Sequence, residues 1–204
     1  VLEAPEKPCV FILGGAKGDD SLEISRYVLK NNIADYVLTG GVIGHIFLAA
    51  KGVDLGKPNM EFLEKKELMG LVPGIRELMK GYPTAIMVPL DVAIDVEQKR
   101  KEIPVNELPT DYPIFDIGTE TAKKYGELIR KAKSIVISGP MGVFENREFM
   151  TGTKKVFEAT ATSKAFSLVG GGHTVAAVEE LRLADKISYV STAGGALIEL
   201  SLIH

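Results

Sequence analysis

The sequence predicts a doubly wound α/β fold, in which helices cover both faces of a parallel sheet. Short, uninterrupted apolar runs alternate along the chain with helical patterns, as expected of strands that are buried on both faces. Five of these runs end at a glycine-rich turn that opens into a helical pattern. The five turns are at residues 14–17, 39–41, 138–142, 170–174 and 191–195. Together these observations predict one Rossmann-like, three-layer domain over residues 1–204.

Strands and helices alternate in the first part of the chain. Short apolar runs bounded by glycine, proline or polar residues predict strands at 9–13 and 36–38 and strand segments at 84–90 and 93–96. Apolar residues at helical spacing predict helices at residues 21–30, 42–50, 61–68 and 72–80. Asp19 and Asp20 are candidates to cap the first helix, with metal contact as the alternative for Asp20.

Residues 97–113 break this pattern, because charged residues and prolines replace the apolar runs. We expect this segment to cross the surface as an irregular excursion. Its basic run, Lys99-Arg100-Lys101, fits a solvated face better than an anion-binding patch, since Glu97 and Glu102 flank it.

The alternation is clearest in the last part of the chain. Strands are predicted at residues 114–117, 134–138, 166–169 and 187–190, and helices at 119–131, 152–163 and 174–183. Thr119 is placed to cap the helix that it begins. Parallel strands bring their carboxyl ends to one edge of a sheet, so we expect the glycine turns to gather there, where open α/β sheets bind their ligands.

Composition excludes several classes of protein. The formal net charge is −3 with no dense block of Lys and Arg, so we expect no binding to nucleic acid or anionic membranes. No apolar run approaches the roughly 20 residues that span a bilayer, and the first residues do not resemble a signal peptide. A single cysteine, Cys9, excludes an internal disulfide and a cysteine-based zinc site. We expect a cytoplasmic setting.

The glycine turns favour a phosphorylated small molecule as the ligand. Glycine lets the backbone approach a ligand closely, and a helix that starts there directs free N–H groups at it. The chain contains neither G-x-x-x-x-G-K-[ST] nor a G-x-G-x-x-G that opens the first helix. This disfavours P-loop proteins and dinucleotide-dependent oxidoreductases. Glycines spread over several turns indicate a broad, shallow pocket.

These motifs resemble the phosphoglycerate kinase family in identity and in order. The resemblance rests on Gly-Gly-Ala-Lys at 14–17, Thr-Gly-Gly at 39–41, Gly-Pro-Met-Gly-Val-Phe-Glu at 139–145, Gly-Gly-Gly at 170–172 and Ser-Thr-Ala-Gly-Gly at 191–195. It covers nearly the whole chain but only the second half of the family's enzymes, the C-terminal nucleotide-binding lobe. The first lobe, which holds 3-phosphoglycerate, is absent from it.

The resemblance implies transfer of the acyl phosphate of 1,3-bisphosphoglycerate to ADP, with Mg²⁺, in glycolysis. It implies that Glu145 accepts hydrogen bonds from the ribose hydroxyls, and that Lys17 contacts the phosphates and is catalytic with the glycine turns. The remaining implied contacts form three groups. They are the adenine floor Gly14, Gly15, Gly40 and Gly41; the facing wall Pro140, Gly142 and Val143; and the phosphate and transfer turns Gly170, Gly171, Gly172, Thr174, Gly194 and Gly195.

Three positions depart from the family's pattern. Ser21 replaces a second lysine, and Ser138 replaces the asparagine before the Gly-Pro turn. His173 stands where the family has its magnesium-binding aspartate. Because Mg²⁺ prefers hard oxygen ligands, the metal site is left undetermined, and His173 can instead cap a helix or contact phosphate.

Simpler interpretations compete with these roles. Glu145 can support a helix N-terminus near Arg147, Lys17 can be an ordinary surface lysine, and His45 fits a satisfied, partly buried histidine. At the level of function, a non-catalytic module that binds adenine nucleotides is the alternative to an enzyme lobe, because one lobe alone lacks a substrate site.

Overall fold

The computed structural model describes residues 5–191, and within them the chain forms nine strands and seven α-helices. The strands are β1 (Cys9–Leu13), β2 (Tyr36–Thr39), β3 (Ile86–Met87), β4 (Asp91–Val96), β5 (Lys99–Pro104), β6 (Ile114–Ile117), β7 (Ser134–Ser138), β8 (Phe166–Gly170) and β9 (Tyr189–Ser191). The helices are α1 (Gly18–Lys30), α2 (Gly41–Ala50), α3 (Lys57–Lys65), α4 (Val72–Gly81), α5 (Thr119–Lys131), α6 (Thr151–Thr162) and α7 (Gly172–Glu180).

Six strands form the main sheet, in the order β3-β2-β1-β7-β8-β9, and all of its pairings are parallel. The chain starts in the middle and winds first to one side and then to the other. The predicted doubly wound sheet is therefore confirmed, and its carboxyl ends lie along one edge.

The central strand β1 explains why helices cover both faces. All five of its residues are buried, and successive side chains point to opposite faces of a strand. Phe11 packs into the core beneath α1, α2 and α4, whereas Val10 and Ile12 pack into the core beneath α5, α6 and α7. A strand with two apolar faces needs a helical layer on each side to exclude water.

A smaller antiparallel sheet, β5-β4-β6, interrupts the parallel pattern and corrects the prediction for residues 97–113. Strand β5 occupies residues that we expected to be irregular. The hairpin was not predicted from the sequence because its two loop residues are Glu97 and Gln98. Both have positive φ values, 53° and 64°, which tight hairpin loops usually achieve with Asn or Gly.

Helix starts differ from the sequence prediction in two places. The third helix begins at Lys57 rather than residue 61, with a proline in its first turn. Thr119 does not cap α5 with its own side chain. Instead, the Asp91 carboxylate accepts from the N–H groups of Glu120 (3.0 Å) and Thr121 (2.8 Å), and Glu102 accepts from the Thr119 N–H (2.9 Å). The small sheet thus supplies the caps of α5.

A buried ion pair links the two outer strands of the small sheet, and its carboxylate contacts the start of α6. Arg100 Nη1 lies 2.7 Å from Asp116 Oδ2, and the two side chains are 13% and 0% exposed. Asp116 also accepts a hydrogen bond from the Gly152 N–H at 2.6 Å, at the start of α6. Burial raises the pKa of Asp116 to about 6, and the Gly152 N–H and Arg100 oppose this rise. Arg100 is therefore not part of a solvated face, although Lys99 and Lys101 are exposed.

We expect Arg100→Ala to destabilise the chain by about 3–5 kcal/mol, because it leaves the buried Asp116 carboxylate without its cation. Urea denaturation monitored by circular dichroism measures this change. Lys101→Ala is the matched control, since Lys101 is the exposed neighbour on the same strand, and we expect it to stay within about 0.5 kcal/mol. Equal effects of the two substitutions would contradict a structural role for the pair.

Candidate functional site

Three of the glycine turns are held together by direct backbone hydrogen bonds at the carboxyl edge of the main sheet. They follow β1, β2 and β7, which are neighbours in the sheet. The bonds that join them run from the N–H of Gly14 to Ser138 O (2.8 Å), of Gly15 to Pro140 O (2.8 Å) and of Gly41 to Met141 O (2.7 Å). The turns therefore form one rigid surface rather than three independent loops.

The packing at this surface leaves no room for side chains. Gly139 has φ +93°, and a Cβ atom there would lie 2.7 Å from the backbone nitrogen of Gly15. A Cβ atom on Gly14 would lie 2.8 Å from the carbonyl oxygen of Gly139. Both contacts are too short for real Cβ atoms, so these glycines are required by backbone packing, whatever binds above them.

A cavity of about 310 Å³ opens over these turns. Helices α1, α2 and α7 start at its wall, so three helix N-termini with free N–H groups meet there. The structure brings together most of the residues singled out from the sequence. Those that line the cavity are Gly14, Gly15, Lys17, Gly41, Pro140, Gly142, Val143, Glu145, Gly171, Gly172, His173 and Thr174.

Two of the predicted residues that the structure describes, Gly40 and Gly170, do not line this cavity. Gly40 precedes α2 and packs against Met141, where a Cβ atom would lie 2.6 Å from the sulfur atom. Gly170 ends β8 and pairs with neighbouring strands on both sides. These two glycines therefore pack against other parts of the domain and not against the cavity. Gly194 and Gly195 lie outside the described residues.

Lys17 stands at the N-terminus of α1 and points into solvent at the cavity wall. Within residues 5–191 it makes no ion pair or side-chain hydrogen bond, so its ammonium group is available to a ligand. Asp19 and Asp20 do not cap this helix, because they lie inside its first turn, where carboxylates favour the helix dipole instead. Asp20 lines the cavity.

Thr174 ties the start of α7 to the turn after β7. Its buried hydroxyl accepts a hydrogen bond of 2.7 Å from the Gly139 N–H. The Thr174 side chain therefore holds two turns in register. This contact fixes the position of the α7 N-terminus relative to the Gly-Pro turn.

Glu145 and His173 lie at the mouth of the cavity, with 4.0 Å between His173 Nδ1 and Glu145 Oε1. Both side chains are mostly exposed. The short helix at Arg147–Phe149 is capped by Asn146, whose side chain accepts from the Glu148 N–H, so the capping alternative for Glu145 is wrong. Helix α7, in contrast, has no side-chain cap, so the capping alternative for His173 is wrong as well.

One end of the cavity is apolar. It lies between α1, α2 and β6, which pack against one another, and its wall includes Ile24, Val42 and Ile114. His45 is on this wall, half-buried, with no hydrogen bond within the described residues. The position agrees with the partly buried histidine expected from the sequence, although no protein group within the described residues bonds to the imidazole. Its position four residues after Gly41, on the same helix face, was the signal that could have placed it here.

Burial lowers the pKa of His45 from 6.5 to about 4. In the unfolded chain the imidazole of His45 is protonated below about pH 6.5, whereas in the folded chain it stays neutral down to about pH 4. The free energy of unfolding should therefore fall as pH drops from about 6.5 towards 4. We expect His45→Leu to remove this part of the acid destabilisation. Urea denaturation across this pH range measures it, with Val42→Ala as a control for altered packing. Parallel pH curves for wild type and His45→Leu would contradict the burial of a neutral imidazole.

The geometry defines an open α/β protein with a ligand cavity at the carboxyl edge of its sheet, and sequence comparison identifies which one. The family model for phosphoglycerate kinase matches residues 1–201. The phosphoglycerate kinase of Methanococcus maripaludis is 47% identical over 201 residues, covering 98% of this chain and 48% of that protein. That of Methanothermus fervidus is 43% identical over 198 residues, covering 97% of this chain and 48% of that protein.

Structural comparison agrees. A crystal structure of phosphoglycerate kinase from Pyrococcus horikoshii superimposes with a TM-score of 0.91 at 42% identity, covering 98% of this chain and 50% of that one. The chain belongs to the phosphoglycerate kinase family. It spans about half the length of the curated relatives that it matches.

Proposed function

We propose that the chain is the ADP- and ATP-binding lobe of a phosphoglycerate kinase, which transfers the acyl phosphate of 1,3-bisphosphoglycerate to ADP in glycolysis. The observation that carries this proposal is the cavity at which three helix N-termini and the unpaired Lys17 converge. Such a place attracts anionic phosphate groups through both backbone N–H groups and a side-chain cation.

The cavity wall carries both charged and apolar side chains, and we expect the phosphates and the base to bind at different parts of it. Lys17 and the start of α7 at Gly171 and Gly172 would hold the phosphates, because positive charge and free N–H groups concentrate there. The base would lie towards the apolar end, over the floor of Gly14 and Gly15. Pro140 and Val143 would cover it from the other side, and Gly142 between them packs closely against Asp116 of β6, where a Cβ atom would lie 2.7 Å from the Asp116 Cα.

Glu145 would accept hydrogen bonds from the ribose hydroxyls. Its carboxylate lies at the cavity mouth between the proposed base and phosphate regions, and no cap or other hydrogen bond within the described residues occupies it. Gly194 and Gly195, expected near the transferring group, stay a prediction from the resemblance.

The described residues do not build a protein site for Mg²⁺. No three His, Cys, Asp or Glu side chains within residues 5–191 cluster closely enough to hold a metal ion. At the position of the family's aspartate stands His173, and an imidazole is a poor ligand for Mg²⁺. We propose that Mg²⁺ binds through the nucleotide phosphates and water, and we assign no step to the metal.

Efficient transfer would need a second lobe. The curated relatives are about twice as long as this chain, and the family's first lobe is expected to hold 3-phosphoglycerate or 1,3-bisphosphoglycerate. Holding two reactants in the right geometry can supply about 7–11 kcal/mol of a reaction barrier.

No helix in the described part of the chain is long and apolar enough to cross a membrane. We propose a cytoplasmic enzyme.

The alternative is a non-catalytic module that binds adenine nucleotides without taking part in phosphoryl transfer. The same cavity would serve it, so nucleotide binding alone does not separate the two. Activity after the first lobe is restored does separate them. A dinucleotide-dependent oxidoreductase is a weaker alternative, because the fingerprint for its cofactor is missing.

We expect Lys17→Ala to weaken ADP and ATP about 10- to 100-fold and adenosine hardly at all. A charge-assisted contact to phosphate contributes roughly 1.5–3 kcal/mol, and adenosine has no phosphate. Titration calorimetry with the three ligands measures this. Lys30→Ala at the other end of α1 is the matched control and should bind all three like wild type. An equal loss for adenosine and ATP would make Lys17 structural, and no binding of ADP to wild type would remove the proposed function.

We expect the 204-residue chain alone to bind nucleotide but to show no useful transfer of phosphate from Mg-ATP to 3-phosphoglycerate. We expect the second reactant to bind to the family's first lobe, which lies outside the resemblance of this chain, and transfer to need closure of that lobe over the cavity. A coupled assay compares the chain alone with the chain joined to the first lobe of a close relative. Comparable turnover by the two would refute this expectation, and no turnover by the joined protein would favour the non-catalytic module.

A further inference from the structure

We propose that His45 is a specificity-determining residue that forms a hydrogen bond with the 6-amino edge of the adenine base. This inference rests on the proposed function, since it concerns how the same cavity selects its nucleotide. It goes beyond the family resemblance, which assigns no role to this position.

The position of His45 on the cavity wall carries the inference. Along α1, the cavity is lined in turn by Lys17, Asp20 and Ile24, so the wall changes from charged to apolar over two helical turns, about 10 Å. Along α2, His45 lies one turn, about 6 Å, beyond Gly41. The imidazole is therefore set back from the N-terminus of α2, and it shares the cavity wall with the apolar Ile24, Val42 and Ile114.

A purine base has the shape and the polarity that suit the part of the cavity wall around His45. Its flat faces are apolar, and they suit the wall of Ile24, Val42 and Ile114. Its edge carries hydrogen-bonding groups that cost free energy if they enter an apolar site without a partner. The imidazole of His45 is the polar side chain on this wall that can meet such an edge.

The state of the imidazole suits a neutral partner. Within residues 5–191 no carboxylate lies within ion-pair distance of His45, and the other charged groups that line the cavity are Lys17, Asp20, Glu145 and His173. Burial keeps the ring neutral at physiological pH. A neutral imidazole offers one donor and one acceptor nitrogen, and no protein group in the described chain fixes which is which. The acceptor nitrogen can accept a hydrogen bond from the 6-amino group of adenine.

Purine riboside 5′-diphosphate tests this contact, because it keeps the ring, ribose and phosphates of ADP and lacks only the 6-amino group. We expect wild type to bind ADP about fivefold more tightly than this probe, the effect of one neutral hydrogen bond. His45→Leu should bind both equally, and His45→Gln should keep part of the preference, since its amide oxygen can also accept. Val42→Ala, a change in the same wall, should weaken both ligands equally.

A second readout follows the His45 ring itself by NMR. Its carbon-bound proton resonance should move when ADP is added and stay in place with inorganic tripolyphosphate, which should move only the amide resonances of Gly172 and His173. If ADP shifts those amides while the His45 resonance is unmoved and His45→Leu keeps the fivefold preference, the proposal is overturned and the proposed function stands. If ADP shifts neither set, both fail.

Discussion

The structure depends on the direct contact of three backbone turns at one edge of the sheet. Gly14, Gly41 and Gly139 belong to turns that follow three neighbouring strands and bond to one another without an intervening side chain. This contact requires the strands to be parallel and adjacent, so that their carboxyl ends coincide. It also creates a floor of backbone atoms, on which a flat ligand can lie closer than any side chain would permit. The close approach of the three turns therefore determines both the packing of these strands and the shape of the cavity floor.

The small antiparallel sheet supports this floor from the far side. Asp116 on β6 accepts from the N–H of Gly152, and the neighbouring Phe115 carbonyl accepts from the N–H of Val143 at 2.7 Å. The turn that carries Val143 and Glu145 is thus anchored between β6 and α6. Arg100 balances the buried carboxylate on which one of these contacts depends. Strand β6 was predicted from the sequence, whereas Arg100 belongs to the segment that was expected to be a surface excursion, and it supports the same wall through Asp116.

The sequence predicted the parts of the molecule in which local pattern and tertiary structure agree. The buried strands and the glycine turns were of this kind, and they sufficed to place the cavity. The hairpin at Glu97 and Gln98 was missed because its loop lacks the residues that normally signal one. Arg100 and Asp116 are 16 residues apart, and nothing local in a charged strand shows which of its charges will be buried. The spacing of His45 from Gly41 indicates which face of α2 it occupies, but its apolar surroundings depend on the relative packing of α1, α2 and β6, which no single helical pattern contains.

The backbone floor of the cavity is rigid, whereas its charged side chains are exposed to solvent, and this difference is a reason to expect that one lobe alone would not catalyse phosphoryl transfer. The floor is backbone held by hydrogen bonds, so it needs no ordering when a ligand arrives. The charged groups are different, because Lys17 is exposed, and the side chains of Glu145 and His173 are 59% and 83% exposed. Charges in water interact weakly, whereas the same charges in an enclosed site interact several times more strongly. In the proposed enzyme this lobe would supply a rigid nucleotide floor, and closure of a second lobe over the mouth would supply the low dielectric in which Lys17 would stabilise a transferring phosphoryl group.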